Sequence, residues 1–255
     1  MFQLVDITVN RDKKDILSVA SLAIPTDRVT VILGQNGSGK STLAHLLAGQ
    51  NTPDTGQVLL NQKEIRSLSK REVAKQVAFL PQHLPQAAGL SVRELVKLGR
   101  FPWQGVFGRM QPEDTKAVDG AIKATQMERY ADYAAEYLSG GERQRAWVSM
   151  LIAQDSPVLI LDEPTSALDI QHQYHLLKLL TQFSKQQSKG VIVILHDLNL
   201  ALRYAHHVIA LKQGTVVFSG DSEEVLNEAQ LSDLYDTRIQ LIDHPEQHHK
   251  VAIVC

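Results

Sequence analysis

Cysteine is almost missing: in 255 residues the only thiol is Cys255, at the last position. That excludes an internal disulfide and a cysteine cluster for metal, and it is compatible with a reducing compartment. Long apolar runs are missing as well. No uninterrupted stretch approaches the ~20 residues that span a bilayer, and Met1 to Asp6 lacks the basic region and long apolar stretch of a secretory signal. The expectation is a chain that is soluble by itself. Neither sign of charge is in excess: 26 Lys and Arg face 28 Asp and Glu, interspersed, for a net charge of −2. Nothing in that balance favours DNA or RNA as the main partner. Internal repeats and low-complexity linkers are also absent. What remains, 44% apolar over this length, is enough for one α/β unit with an inserted subdomain.

Against those absences stands Gly34-Gln35-Asn36-Gly37-Ser38-Gly39-Lys40-Ser41-Thr42. It fits G-x-x-x-x-G-K-[ST] at every required position. An apolar run, Val29 to Leu33, leads in, and a helix-compatible run, Leu43 to Ala48, leads out. A glycine-rich turn with an incidental lysine would not need that context. The glycines let successive N–H groups point inward, and the helix that follows adds its positive end. Lys40 then reaches the β- and γ-phosphates and Ser41 offers its hydroxyl to Mg²⁺. The spacing implies a nucleoside triphosphate as ligand.

Around this stretch the pattern alternates strand and helix. Residues 2–9 and 16–24 read as strands, and 29–33 as the buried strand before the loop. Pro53 to Gly56 is a turn before an edge strand at 58–61, and a short helix at 70–76 precedes a buried strand at 77–80. From about 86 to 155 strand-like runs disappear. Ser91-x-x-Glu94 caps one helix and Pro112-Glu113-Asp114 opens another. Val158 to Leu161 and Val191 to Leu195 read as buried parallel strands split by a helix from Ile170 to about Gln187. Residues 208–211 and 215–218 suit a terminal hairpin, Asp221 caps a last helix, and a polar tail closes the chain.

Val158 to Leu161 runs into Asp162-Glu163. In P-loop proteins an Asp at such a strand end holds the Mg²⁺ that the loop serine touches. Glu163 is then placed to orient water against the γ-phosphate, as a general base; the alternative is that one acid only caps the following helix. His196 follows the apolar strand 191–195, at the carboxyl edge where α/β proteins bind ligands, though a lone strand-end histidine is as well read as packed or solvated. Ser139-x-x-Glu142 within Leu138-Ser139-Gly140-Gly141-Glu142-Arg143-Gln144-Arg145 is a capping box, so a helix runs from Ser139 to about Gln154. Two glycines in its first turn leave the amides open, a second anion-binding terminus far from the first.

With the phosphate loop before it and Asp162-Glu163 after it, this stretch resembles the signature motif of ABC-transporter ATPases, and the resemblance covers nearly the whole chain. It implies a P-loop NTPase core of the ABC ATPase type (1–85 and 156–220) with an antiparallel β subdomain, an inserted helical subdomain (86–155), and C-terminal helices and tail (221–255). By the same resemblance Gln82 is the glutamine of the loop joining core to helical subdomain, and a ligand of Mg²⁺. Ser166 to Asp169 is the D-loop and His196 the switch histidine. Lys40, Gln82, Glu163 and His196 would act in catalysis, and Ser41, Gln82 and Asp162 would hold Mg²⁺. Gly34 to Thr42, Arg11, Ser139, Gly140, Gly141, Glu142 and Asp169 would hold ATP. Arg11 stands where relatives usually place an aromatic residue against adenine; a guanidinium can stack there instead.

Further implied are a head-to-tail homodimer in which each ATP lies between Lys40 of one chain and Ser139 to Gly141 of the other, and separate permease subunits fed by a substrate-binding protein. Gly99 to Trp103, His196 to Asn199 and Ala167 to Ile170 resemble the ATPases of ferric-siderophore, haem and cobalamin importers. Leu80 to Pro85, Val92 to Val96 and Glu142 to Trp147 are similar to the ferric-hydroxamate type. A chain without its own permease fits an importer ATPase on the cytoplasmic face of the bacterial inner membrane. A soluble ABC ATPase acting on nucleic acid or ribosomes is the rival, weakened by the single cassette and the lack of coiled-coil arms; a small-molecule kinase leaves the signature unexplained. Phe101 to Trp103 suit either a permease contact or packing of the helical subdomain. His172 and His175 read as surface residues without an acidic partner, and His244, His248 and His249 as part of a flexible tail.

Overall fold

A computed structural model describes residues 1–12, 14–104, 108–247 and 249–255; His248 therefore lies outside the described residues. The chain begins with β1 (Phe2–Arg11), β2 (Lys14–Ile24) and β3 (Val29–Leu33), then α1 (Lys40–Leu47), β4 (Thr55–Leu60) and the two-residue β5 (Lys63–Glu64). Next come α2 (Lys70–Gln76), β6 (Val77–Leu80), and a helical run of α3 (Val92–Leu98), α4 (Phe101–Gln104), α5 (Pro112–Ala124) and α6 (Gly140–Ala153). Then follow β7 (Val158–Leu161), α7 (Ile170–Gln187), β8 (Gly190–Ile194), α8 (Leu198–Tyr204), β9 (His207–Lys212) and β10 (Thr215–Asp221). The chain ends in α9 (Ser222–Val225), α10 (Glu228–Tyr235), β11 (Ile239–Asp243) and β12 (Lys250–Val254).

Ten strands form one sheet in the order β5-β4-β1-β2-β10-β9-β3-β8-β7-β6. From β9 to β6 the pairs are parallel, whereas β4, β1 and β2 pair antiparallel. The parallel strands are continuous apolar runs because both faces are covered. Their alternate side chains feed two cores: Val29, Val31, Leu159, Leu161, Val191 and Val193 face one, with α3, α5, α6 and α7. Ile32, Val158, Ile160, Ile192 and Ile194 face the other, with α1, β1 and β2. Successive residues of a strand point to opposite faces, so one short run serves two cores.

Several expectations are corrected in detail. The edge on the β1 side is β5, not residues 58–61; Asn61 has left the strand with φ 49°. Asp221 makes no side-chain cap and instead approaches Arg28, at 3.6 Å. The helix it precedes is only four residues and is followed by α10. The tail is not a loose polar segment. β11 and β12 pair from Ile239↔Val254 to Asp243↔Lys250, and the rings of His244 and His249 lie 4.8 Å apart at the turn. This hairpin escaped notice because its pairing is across a polar, histidine-rich turn, and each strand is only five residues.

Candidate functional site

The phosphate loop has the backbone its glycines permit. Gly34 has φ 145°, and a Cβ there would sit 2.2 Å from the Leu211 carbonyl oxygen. Gly39, the residue before α1, has φ 97° and would meet the Ile16 carbonyl at 2.9 Å. Both need glycine twice over, for conformation and for space. Lys40, only 5% exposed, folds back so that Nζ donates to the carbonyls of Gly34 (2.8 Å) and Gln35 (2.9 Å). Burial lowers its pKa, opposed by the charges of Glu163 and Asp162.

The sheet order explains what meets it. β3, β8, β7 and β6 are consecutive neighbours. Lys40 follows β3, His196 follows β8, Glu163 follows β7 and Gln82 follows β6. Four residues scattered between positions 40 and 196 thus emerge side by side at the carboxyl ends of parallel strands, where open α/β sheets bind ligands. Lys40, Ser41, Thr42, Gln82, Glu163 and His196 line one cleft of ≈ 470 Å³. Ile16 is on its wall too, a residue sequence reading missed; in β2 only its half-buried position hints at it.

Glu163 is the hub. Gln82 Nε2 donates to its Oε2 at 2.6 Å and His196 Nε2 lies 2.5 Å from its Oε1. Its backbone sits in the left-handed region, φ 49°, a conformation that costs a non-glycine residue roughly 1–3 kcal/mol. Neighbouring Asp162 is 2% exposed, and burial raises its pKa against the lowering hydrogen bond of Ser41. Its Oδ1 is buried without a hydrogen-bond partner. An orphaned carboxylate oxygen beside the Ser41 hydroxyl is an oxygen donor pair that suits a hard divalent cation such as Mg²⁺, whereas Gln82 is engaged with Glu163.

The signature stretch forms a different kind of structure. Ser139 caps α6 in a reciprocal capping box: Glu142 N donates to the Ser139 hydroxyl, and Glu142 Oε2 accepts from Ser139 N at 2.9 Å. Tyr130, which sequence reading also missed, donates its hydroxyl to Glu142 Oε1. That bond, with those from Ser139, holds the Glu142 carboxyl at a pKa of about 2. None of Ser139, Gly140, Gly141 or Glu142 lines the cleft, nor do Arg11 and Asp169. A Cβ on Gly140 would meet nothing, so this helix start is open outward. Arg11 ends β1 exposed. Asp169 caps α7 and its Oδ1 lies 2.7 Å from His172 Nδ1, so His172 does have an acidic partner, contrary to expectation.

Phe101 to Trp103 divide between the two readings of them. Trp103 Nε1 donates to the Gln154 carbonyl at 2.6 Å, and Arg71 donates to the Pro102 carbonyl at 2.8 Å, so this segment is sewn to its own chain. Phe101 is left 56% exposed.

The model of the ABC transporter family matches residues 17–166. The chain belongs to the ABC transporter family. It is an ATP-binding cassette, similar to the iron(3+)-hydroxamate import ATP-binding protein FhuC of Bacillus subtilis, at 39% identity over 91% of this chain and 87% of that protein. The ferric enterobactin transport ATP-binding protein FepC of Escherichia coli is also 39% identical, over 94% of this chain and 88% of that one. Among solved structures the bacterial cassette MJ0796 in dimeric form is 27% identical with a TM-score of 0.78, covering 87% of this chain and 98% of that one. The same cassette has been solved as a dimer bound to ADP and Pi. Among the described residues, this chain has no helix long and apolar enough to cross a membrane.

Proposed function

We propose that this cassette is the ATP-hydrolysing subunit of an importer, driving uptake of an iron(III)-siderophore through a separate permease on the cytoplasmic face of the inner membrane. The observation that carries the hydrolytic reading is the Glu163 carboxylate, held by Gln82 and His196 across the cleft from Lys40. Lys40 leaves its loop carbonyls and takes the β- and γ-phosphate oxygens, a contact between opposite charges in place of one to neutral acceptors. Glu163 orients the attacking water and accepts its proton, while His196 fixes the carboxylate and senses the γ-phosphate. Ser41, Asp162 and Gln82 hold Mg²⁺, which when bound neutralises charge on the phosphates.

The second half of the reading is a dimer, supported by the dimeric form of MJ0796 and by the absence of Ser139 to Gly141 from this chain's own cleft. The helical run 86–155 is then a subdomain that carries the signature of one protomer to the ATP of its partner. A triphosphate between two helix starts binds the closed dimer better than the open one and shifts the population to closure; hydrolysis reverses it. Gln82, exposed and in contact with Glu163, reports nucleotide state to the permease.

For the cargo, equal identity to hydroxamate and enterobactin ATPases supports the siderophore class, and the local likeness at 80–85, 92–96 and 142–147 favours hydroxamates over haem or cobalamin. The test is uptake by proteoliposomes holding the permease that co-purifies with the chain, with its substrate-binding protein. ATP-dependent accumulation of ferric hydroxamate above ferric catecholate, haem and cobalamin is expected. Recovery with ribosomes or DNA, never with a permease, overturns the importer reading.

A further inference from the structure

The last 28 residues do more than close the chain. α10, β11 and β12 are tied into one unit: Ile239 N donates to Ser232 Oγ (2.9 Å), Leu241 N to Glu228 Oε1 (2.7 Å), and the two strands pair along their length. The unit contacts, at two separate places, elements that adjoin residues of the cleft. At one, the phosphate-loop residue Gln35 donates Nε2 to Asp236 Oδ2 (2.9 Å) and to the Leu234 carbonyl (3.3 Å). Asp236 Oδ1 also takes Lys212 Nζ at 2.8 Å. Lys212 ends β9, directly before the turn whose Gly214 N donates to the Ser38 carbonyl of the same loop. The Tyr235 hydroxyl is buried beside the Gly34 amide. At the other place, Ala252 N in β12 donates to Asn199 Oδ1 at 2.7 Å. Asn199 lies in the first turn of α8, three residues after His196.

One residue choice points the same way. Asp236 sits just past α10 with φ 52° and ψ 35°. That left-handed position is where glycine is the ordinary residue and a Cβ is a penalty. Here it carries a carboxylate instead, and both oxygens are used, one on the phosphate loop and one on β9.

We infer that the C-terminal unit is a brace for the nucleotide site, with Asp236 a positioning residue for the phosphate loop through Gln35 and Asn199 a positioning residue for His196 through α8. Neither residue lines the cleft. Asp236 restricts the loop to the backbone that receives phosphates, so its loss acts on ATP binding. Asn199 fixes the helix that carries the switch histidine, so its loss acts on turnover. The inference rests on the cleft being the ATP site.

Because glycine is at ease in the left-handed region, Asp236→Gly removes the tether while relieving the backbone, which separates the role from folding. Asp236→Gly is expected to raise KM for ATP about three- to tenfold, the size of one or two lost partly exposed hydrogen bonds. Its kcat and Tm should stay close to the parent's. Asp236→Asn, which tolerates the same backbone and keeps an acceptor, should restore KM. Asn199→Ala should lower kcat several-fold with KM unchanged, and Asn199→Asp, which keeps the acceptor for Ala252 N, should restore it. Lys40→Ala run alongside separates the failures. If it leaves ATP affinity intact, the site reading falls. If it weakens binding as expected while Asp236→Gly and Asn199→Ala retain parental KM and kcat, the brace alone is wrong. A parallel loss of Tm, KM and kcat in Asp236→Asn as in Asp236→Gly also overturns it.

Discussion

The phosphate-loop end and the signature end of this cassette are built from the same device, a glycine-rich start of a helix, and they are finished differently. At α1 the loop is surrounded: Leu211 and Ile16 carbonyls press on its glycines, and Lys40, Gln82, Glu163 and His196 close a cleft over it. At α6 the helix start is internally satisfied by Ser139, Glu142 and Tyr130, yet lines no part of that cleft. On the proposed reading, the first is a site that lacks only a cover, and the second is a cover that lacks a site. A helix N-terminus by itself favours an anion by a modest amount, typically 0.3–1 kcal/mol when exposed, so the proposed role of the signature end requires a phosphate held by a partner protomer.

The comparison is broken most severely at the hub. Glu163→Gln keeps the shape of the cleft and removes the proton acceptor, so hydrolysis should fall by roughly 10²–10⁴-fold with ATP binding retained, measured by steady-state turnover beside equilibrium nucleotide binding. Rapid turnover by that variant removes Glu163 from the chemistry. Lys40→Ala acts on affinity instead: loss of its charge-assisted bonds should weaken ATP binding about 10- to 100-fold, read by titration calorimetry. Both residues belong to the surrounded end, and the Lys40→Ala loss should appear even in a lone protomer's binding.

Ser139→Ala sharpens the contrast. It should cost about 1 kcal/mol of stability through the lost cap and leave ATP affinity of the monomer as it was, while ATP-dependent dimerisation, followed by light scattering, is lost. The Glu142 carboxyl adds a pH signature. Its pKa is about 2 in the fold against 4.5 as the ordinary value, so its stabilisation is complete above pH 4.5 and fades as pH falls toward 2. Thermal denaturation across that window should show a steeper acid loss for the parent than for Glu142→Gln, and Tyr130→Phe should reduce the difference. The smallest effect is expected at Arg11: if its guanidinium stacks on the base, Arg11→Ala should weaken ATP binding about two- to fivefold, and unchanged affinity ends that idea.

Much of the fold was legible because its signals are local. Val29 to Leu33, Lys70 to Gln76, Val77 to Leu80 and Ile170 to Gln187 have the bounds their patterns imply, since apolar runs and the polar turns that end them are local, and the structure adds caps at Ser69 and Asp169. The capping boxes at Ser91 and Ser139 are also as expected, both bonds present. The C-terminal hairpin was not legible: its partners, Ile239 and Val254, are separated by a polar turn, and β12 is tied to the rest of the chain by a contact distant in sequence, Ala252 N to Asn199 Oδ1. Nor does any sequence pattern announce the Asp236–Gln35 bond, made across 201 positions, or the strained backbone of Glu163.

The order of residues alone determined the chemistry available: a glycine-spaced loop ending in Lys40-Ser41, an apolar strand ending in Asp162-Glu163, and a capped Ser139 helix, because each is written in adjacent residues obeying short-range rules. Only the tertiary structure decided which of them meet. Placing β3, β8, β7 and β6 side by side brings Lys40, His196, Glu163 and Gln82 to one rim, and the same packing leaves Ser139 elsewhere. Strand order is set by burial of two cores at once, a property of the whole chain that no short stretch contains.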